Sequence, residues 1–303
     1  MKMKTNIPKF LIVGAAKSGT SSLHYYLSMH PKLCMPKKVK ELNFWHTYNH
    51  EDERAILKWA NVFPTTIKEY EQHFDHKRPN QICGEASPSY LIYYKDTIDN
   101  LKTLHANWGE IKIIIILREP IDKIWSHYKF SKNHDLDPLD LSLPQTLKLE
   151  GSRINDISLL PDLHFVHNTR YFDQVKYYQE YFDNVKVLLY DDLKKNSQTV
   201  LDEITDFLEI ARFVPDNADK VFNASRRVYK PNKIVKMTTG SGLGKYLPRE
   251  LKGCINYIKQ ISSSEEKMDA KTEMYLRGIF RPEIEKLNTI IEPDLTGWLK
   301  KYD

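Results

Sequence analysis

The segment Gly14-Ala15-Ala16-Lys17-Ser18-Gly19-Thr20-Ser21-Ser22 carries the strongest chemical signal in the chain. It follows the apolar run Phe10-Leu11-Ile12-Val13 and precedes Leu23, Tyr26, Leu27 and His30, which fall on one face of a helix. At a strand–loop–helix junction, backbone N–H groups converge and the helix dipole adds positive potential. Small residues let a phosphate approach closely, and the hydroxyls of Thr20, Ser21 and Ser22 add donors. Such a segment is an anion site. The lysine position says which kind. In a nucleoside-triphosphate loop the lysine follows the second glycine. Here Thr20 follows Gly19, and Lys17 lies inside the loop. From there its ammonium would lean over the bound group and neutralise charge on a bridging leaving oxygen.

A second constellation is Leu117-Arg118-Glu119-Pro120-Ile121-Asp122-Lys123-Ile124-Trp125-Ser126-His127-Tyr128. A metal-dependent phosphotransferase keeps an aspartate at the end of a buried strand to hold Mg²⁺. This strand ends in Arg118, which cannot bind a metal but binds phosphate bidentately. Ser126 lies about 150° around the helix from the stripe Ile121, Ile124, Trp125 and Tyr128, which predicts a hydroxyl open to a ligand. Arg118 and Ser126 together would clamp a second phosphate. Taken singly, Arg118 is also open to a surface ion pair with Glu119 or Asp122, and Ser126 to simple solvation.

These groups need a frame. Phe10–Val13 and Ile111–Leu117 are apolar throughout, as strands covered on both faces are. Pro120 stands where a first helical residue would. Helices are expected over Glu51–Phe63, Thr65–Phe74, Asp96–Asn107, Thr169–Phe182 and Gln198–Leu208, and over most of Tyr246–Leu299. A strand is expected over Val185–Tyr190 and a strand end at Cys83–Pro88. Thr20-Ser21-Ser22 reads as a cap, Lys32–Trp45 as a basic loop, and Asp135–Leu163 shows no clear pattern. Strands alternating with helices predict an α/β protein with a P-loop-like central parallel β-sheet flanked by helices. No boundary divides the 303 residues, so one domain, 1–303, is expected.

Composition narrows the partners. The net charge of +5, from 45 basic and 40 acidic side chains, is mild and suits anionic ligands without arguing for nucleic acid. Cys34, Cys83 and Cys254 have neither metal spacing nor a disulfide pattern. No stretch approaches a membrane span and no apolar leader opens the chain, so a cytoplasmic protein is expected.

The loop Gly14–Leu23 resembles the 5′-phosphosulfate loop of sulfotransferases that use 3′-phosphoadenosine 5′-phosphosulfate (PAPS), and Leu117–Pro120 with Ser126–Tyr128 resembles their 3′-phosphate motif. Gly84–Leu91, Val187–Leu193, and Tyr275-Leu276 through Leu287 to Trp298 match the same group. Its bacterial members and its heparan sulfate branch are the most similar. The resemblance implies the sulfotransferase fold and a sulfuryl transfer from PAPS to an acceptor hydroxyl on a small molecule or carbohydrate. The product would be adenosine 3′,5′-bisphosphate, with no metal. It implies that Lys17 contacts the leaving phosphosulfate, that Ser18, Gly19, Thr20, Ser21 and Ser22 bind the 5′-phosphate, and that Arg118 and Ser126 bind the 3′-phosphate. Lys40–Trp45 resembles the segment carrying the catalytic base, which makes Glu41 the first candidate and Glu85 the second. Phe222–Arg227 resembles a further phosphate-contacting segment, through Arg226 and Arg227. Asn43 stands where the heparan-type pattern has a histidine, and that branch's disulfide-closed hairpin with its Lys-Gly-Arg tip is missing.

Other classes would leave other marks. A metal-dependent small-molecule kinase needs a lysine after Gly19 and a carboxylate at the strand end. A non-catalytic nucleotide-binding protein keeps Lys17 and Arg118 but needs no base. A nucleic-acid binder needs a dense basic stripe interleaved with aromatics, and this chain has none.

Overall fold

The structure, a computed structural model, describes residues 7–48, 63–134, 136–137, 139–153, 163–215 and 267–303. Strands β1 (Phe10–Gly14), β2 (Leu33–Cys34), β3 (Ile82–Ala86), β4 (Lys112–Leu117) and β5 (Val185–Leu189) form one sheet in the order β2-β3-β1-β4-β5. Every pairing is parallel. Parallel neighbours need crossovers, and helices supply them.

The apolar runs are buried on both faces, as their composition demands. Leu11, Val13, Ile113, Ile115 and Leu117 face one core; Phe10, Ile12, Ile114 and Ile116 face the other. The second core is covered by α1 (Thr20–Ser28), α8 (Tyr190–Lys195) and α9 (Ser197–Phe207). The first is covered by α2 (Phe44–Thr47), α3 (Ile67–Gln72), α4 (Tyr94–Leu104), α5 (Pro120–Asn133), α6 (Leu143–Arg153), α7 (Tyr171–Tyr181), α10 (Ala270–Leu287) and α11 (Thr296–Leu299). No helix among the described residues is long and apolar enough to cross a membrane.

The strand order places the site. From β1 the chain turns toward β2 and β3; from β4 it turns the other way, toward β5. The loops that follow β1 and β4 therefore part company at adjacent strand ends, leaving the crevice where open α/β sheets bind ligands. Register pairs Phe10 with Lys112 and Ile12 with Ile114, then shifts, so that Gly14 pairs with Ile115.

Several local readings need correction. Thr20–Ser22 is the first turn of α1, not its cap; the cap is Gly19. The basic loop Lys32–Trp45 contains β2 and the start of α2. The unpatterned stretch holds α6, whose start is held by one half of a capping box: the Ser142 N–H and Oγ both donate to Gln145 Oε1, at 3.0 and 2.7 Å. The helix expected over Glu51–Phe63, all but its last residue, and the start of the C-terminal helical region lie outside the described residues.

Candidate active site

The anion loop is a backbone construction. Ala15 N–H donates to Ile116 O at 2.7 Å and pins the loop to β4. Lys17 and Gly19 both adopt the left-handed conformation, with φ of 64° and 96°. Gly19 is the α1 N-cap and supplies no side chain, and no acidic residue occupies the first turn. A Cβ at Gly19 would meet Leu193 Cδ2 at 2.9 Å and Tyr190 Cδ2 at 3.0 Å, so space and φ both require glycine. Ser18 is fully buried, its Oγ 3.5 Å from Ala16 O and hydrogen-bonded with Tyr171. Its hydroxyl shapes the loop from within, whereas Ser21 is half-buried. Thr20 and Ser22 have little exposure.

The two expected anion pockets adjoin. Arg118 Nη1 donates to Lys17 O at 3.2 Å. Its guanidinium lies 4.9 Å from the Tyr190 ring centroid, and the Tyr171 hydroxyl donates to Arg118 O at 3.0 Å. Neither acidic neighbour takes up the arginine. Glu119 caps α5, accepting from Ile121 N–H at 3.0 Å and Asp122 N–H at 2.8 Å, and it also accepts from the Tyr302 hydroxyl. Asp122 pairs with Lys301 at 3.3 Å. Burial raises the Glu119 pKa against the pull of these donors.

Ser126 corrects the angular estimate: it is 3% exposed. Helix α5 buries more of its circumference than its apolar stripe marks, including Lys123, Ser126, His127 and Ser131. Lys17 Nζ sits 4.0 Å over the Phe130 ring of this helix. His127 is buried, and its pKa is held well below the ordinary value by desolvation and by the charges of Lys123 and Lys17.

The two carboxylate candidates sit differently. Lys40 Nζ donates to Glu41 Oε1 at 2.6 Å and to Thr20 Oγ1 at 3.3 Å, so one ammonium joins Glu41 to the first turn of α1. The Glu41 side chain is 42% exposed, at the rim. Glu85 on β3 is 0% exposed and accepts from Tyr70, Ser87 and Tyr90 hydroxyls. Burial raises its pKa, opposed by those donors. The structure thus links Arg118 to Lys17, and Glu41 through Lys40 to Thr20, around one loop, and puts Glu85 inside the protein. Arg226 and Arg227 lie outside the described residues. Lys40 and Tyr190 join this arrangement through contacts with Thr20 and Arg118. In the sequence Lys40 stands out only as one lysine of a basic loop, and Tyr190 only as the residue that follows a strand.

The class is defined by a parallel α/β sheet whose central strand feeds a glycine-capped loop at the switch point, with an arginine from the next strand resting on that loop. The chain belongs to the sulfotransferase family, whose sulfotransferase domain matches residues 7–260. It is 23% identical to the membrane-associated sulfotransferase kil1 of Dictyostelium discoideum, over 86% of this chain and 64% of that protein. It is 27% identical to the mouse (Mus musculus) bifunctional heparan sulfate N-deacetylase/N-sulfotransferase 4, over 68% of this chain but only 22% of that one. A crystal structure of a sulfotransferase from Alicyclobacillus acidocaldarius matches with a TM-score of 0.71 and 26% identity, covering 96% of this chain and 98% of that one. The fold is the sulfotransferase fold.

Proposed function

We propose that this protein transfers a sulfuryl group from PAPS to an acceptor hydroxyl on a small molecule or carbohydrate, with Glu41 as general base. Family membership supports sulfuryl transfer. The donor and the base rest on the site. The observation that carries them is the meeting of three distant segments: Arg118 on the Lys17 carbonyl, and Glu41 joined through Lys40 to Thr20.

The chemistry follows from those positions. Sulfuryl transfer, like phosphoryl transfer, is an in-line displacement dominated by positioning and charge stabilisation. Glu41 takes the acceptor proton as the new oxygen–sulfur bond forms. The bond from sulfur to the bridging phosphate oxygen breaks, and Lys17 offsets the charge left on the departing phosphate. Lys40 holds the Glu41 carboxylate in an ion pair and adds positive charge beside the α1 terminus. Arg118, with Ser126, holds the 3′-phosphate.

Calorimetry in chelator tests the donor: adenosine 3′,5′-bisphosphate is expected to bind and ATP not to. Binding of ATP alone overturns the donor assignment. Glu41→Gln is expected to bind the bisphosphate with unchanged affinity and to lose turnover on the order of 10²–10⁴-fold with PAPS and an acceptor. Unchanged turnover removes Glu41 from the mechanism.

A further inference from the structure

Under the Glu41 rim, one buried carboxylate gathers the hydrogen bonds of a whole loop. The Tyr70 hydroxyl donates to Glu85 Oε2 at 2.5 Å, while Ser87 Oγ and the Tyr90 hydroxyl donate to Oε1 at 2.5 and 2.7 Å. The Leu42 backbone N–H donates to the same carboxylate. Each hydroxyl then accepts from the chain just past Glu41. Asn43 N–H donates to Ser87 Oγ at 3.1 Å, Trp45 N–H to the Tyr90 hydroxyl at 3.4 Å, and the Trp45 indole N–H to the Tyr70 hydroxyl at 3.1 Å. Leu42, Asn43 and Trp45 therefore hang on Glu85, directly or through one hydroxyl.

The polarity of this network is set at its centre. A hydroxyl that spends its proton on Glu85 turns lone pairs toward the loop and can accept an N–H. Without an acceptor at the centre, the hydroxyls lose that common direction. The loop needs such holding. Asn43 is in the left-handed region at φ 52°, fixed also by Ser89 Oγ donating to its Oδ1 at 2.5 Å. A non-glycine residue stays there only when its surroundings over-determine it. Burying a carboxylate is costly, and an apolar side chain would fill this space more cheaply. What the carboxylate adds is a fixed course for the residues that begin one position after Glu41.

We propose that Glu85 is a positioning residue: with Tyr70, Ser87 and Tyr90 it sets the path of residues 42–45 and so aims the Glu41 carboxylate at the Lys40–Thr20 corner. This role rests on the reading of Glu41 as base. It also gives Glu85 a place in the reaction that direct contact with an acceptor does not.

Ser87→Ala and Tyr90→Phe each cut one link and leave the volume nearly unchanged. Both are expected to lower kcat on the order of 10–100-fold, the cost of a small misplacement, with unchanged affinity for adenosine 3′,5′-bisphosphate. Ser87→Thr, which keeps the hydroxyl, is expected to restore kcat. In a Glu41→Gln background Ser87→Ala is expected to add no further loss. Amide exchange at Leu42, Asn43 and Trp45 is expected to quicken while β1 and α1 keep their protection. Glu85→Gln is read at the same amides once circular dichroism shows it folded; if it does not fold, the Ser87 and Tyr90 variants carry the test. Wild-type kcat in Ser87→Ala and Tyr90→Phe, with Glu41→Gln inactive, overturns the positioning role alone. A lowered melting temperature with unchanged kcat also overturns it, since the network is then merely structural. An active Glu41→Gln overturns the base assignment instead, whatever the Ser87 variants do.

Discussion

Arg118 commits one arm of its guanidinium to the protein itself. It steadies the anion loop through the Lys17 carbonyl at 3.2 Å, and it leaves Glu119 and Asp122 to other partners. Lysine would keep the charge but not the fork that reaches a carbonyl and a phosphate together. Arg118→Lys is therefore expected to weaken adenosine 3′,5′-bisphosphate binding by roughly 1.5–3 kcal/mol, the worth of a hydrogen bond to a charged group, read by calorimetry. An unchanged affinity would mean that the 3′-phosphate sits elsewhere. Lys17 and Arg118 were legible in the sequence because each is defined by its distance from a strand end. Lys40 was not, because its importance lies in reaching Thr20, a contact made only by the fold. Glu41 is a candidate only through family resemblance: a glutamate after a lysine otherwise reads as a surface pair, and the structure shows that pair at 2.6 Å. Ser126 was placed on the correct helix but given the wrong exposure, since periodicity marks an apolar stripe and cannot see a polar face that is also covered.

At the scale of elements, the runs apolar on both faces were plain. β1 and β4 differ from their expected spans by a residue, and α5 starts at Pro120 with Glu119 capping it. The two residues of β2 are too few for any periodicity to announce. Helix α6 was missed although Ser142-Leu143-Pro144-Gln145 is a capping-box spelling; the weak pattern after it hid the start. The α1 cap was misplaced because hydroxyl residues usually cap helices, whereas here glycine takes the position and leaves the anion site open. Gly19→Ala tests that trade. The left-handed backbone alone costs roughly 1–2 kcal/mol for a residue with a Cβ. The added methyl also presses on Tyr190, which stacks against Arg118. A melting temperature lowered by several degrees and a weakened bisphosphate affinity are expected together, by thermal denaturation and calorimetry. Lost stability with intact affinity would show that the junction tolerates a cap side chain.

Across the whole molecule, the covering of both sheet faces leaves ionisable groups desolvated. His24 on α1 has its pKa lowered to about 4, chiefly by burial and then by Lys40. His127 on α5 is lowered well below 6.5 by burial, Lys123 and Lys17. His105 and His164 are lowered by burial as well. The unfolded chain takes up these protons below about pH 6.5, while the native state refuses them until its own lower pKa is reached. This contribution is complete above about pH 6.5 and falls as the pH drops through the window toward about 4, where His24 finally protonates in the native state. Glu85, Glu119 and Glu150, raised by burial, act with the opposite sign: below their native pKa the folded state binds the extra proton and gains stability until the unfolded carboxyls follow. The histidine term sets in at the unfolded pKa and the carboxyl term at each native pKa, so the two oppose one another as the pH falls. The histidines alone are expected to lower the unfolding free energy read from urea titrations between about pH 7 and pH 5.5, by up to about 1.4 kcal/mol per pH unit for each one held neutral. His127→Gln is expected to be less stable than wild type near neutrality, yet to show a shallower slope, because it removes one such proton from the unfolded chain. Parallel slopes for the two proteins would mean that His127 accepts its proton in the folded state, between Lys123 and Lys17, and that the interior around α5 is wetter than its burial indicates.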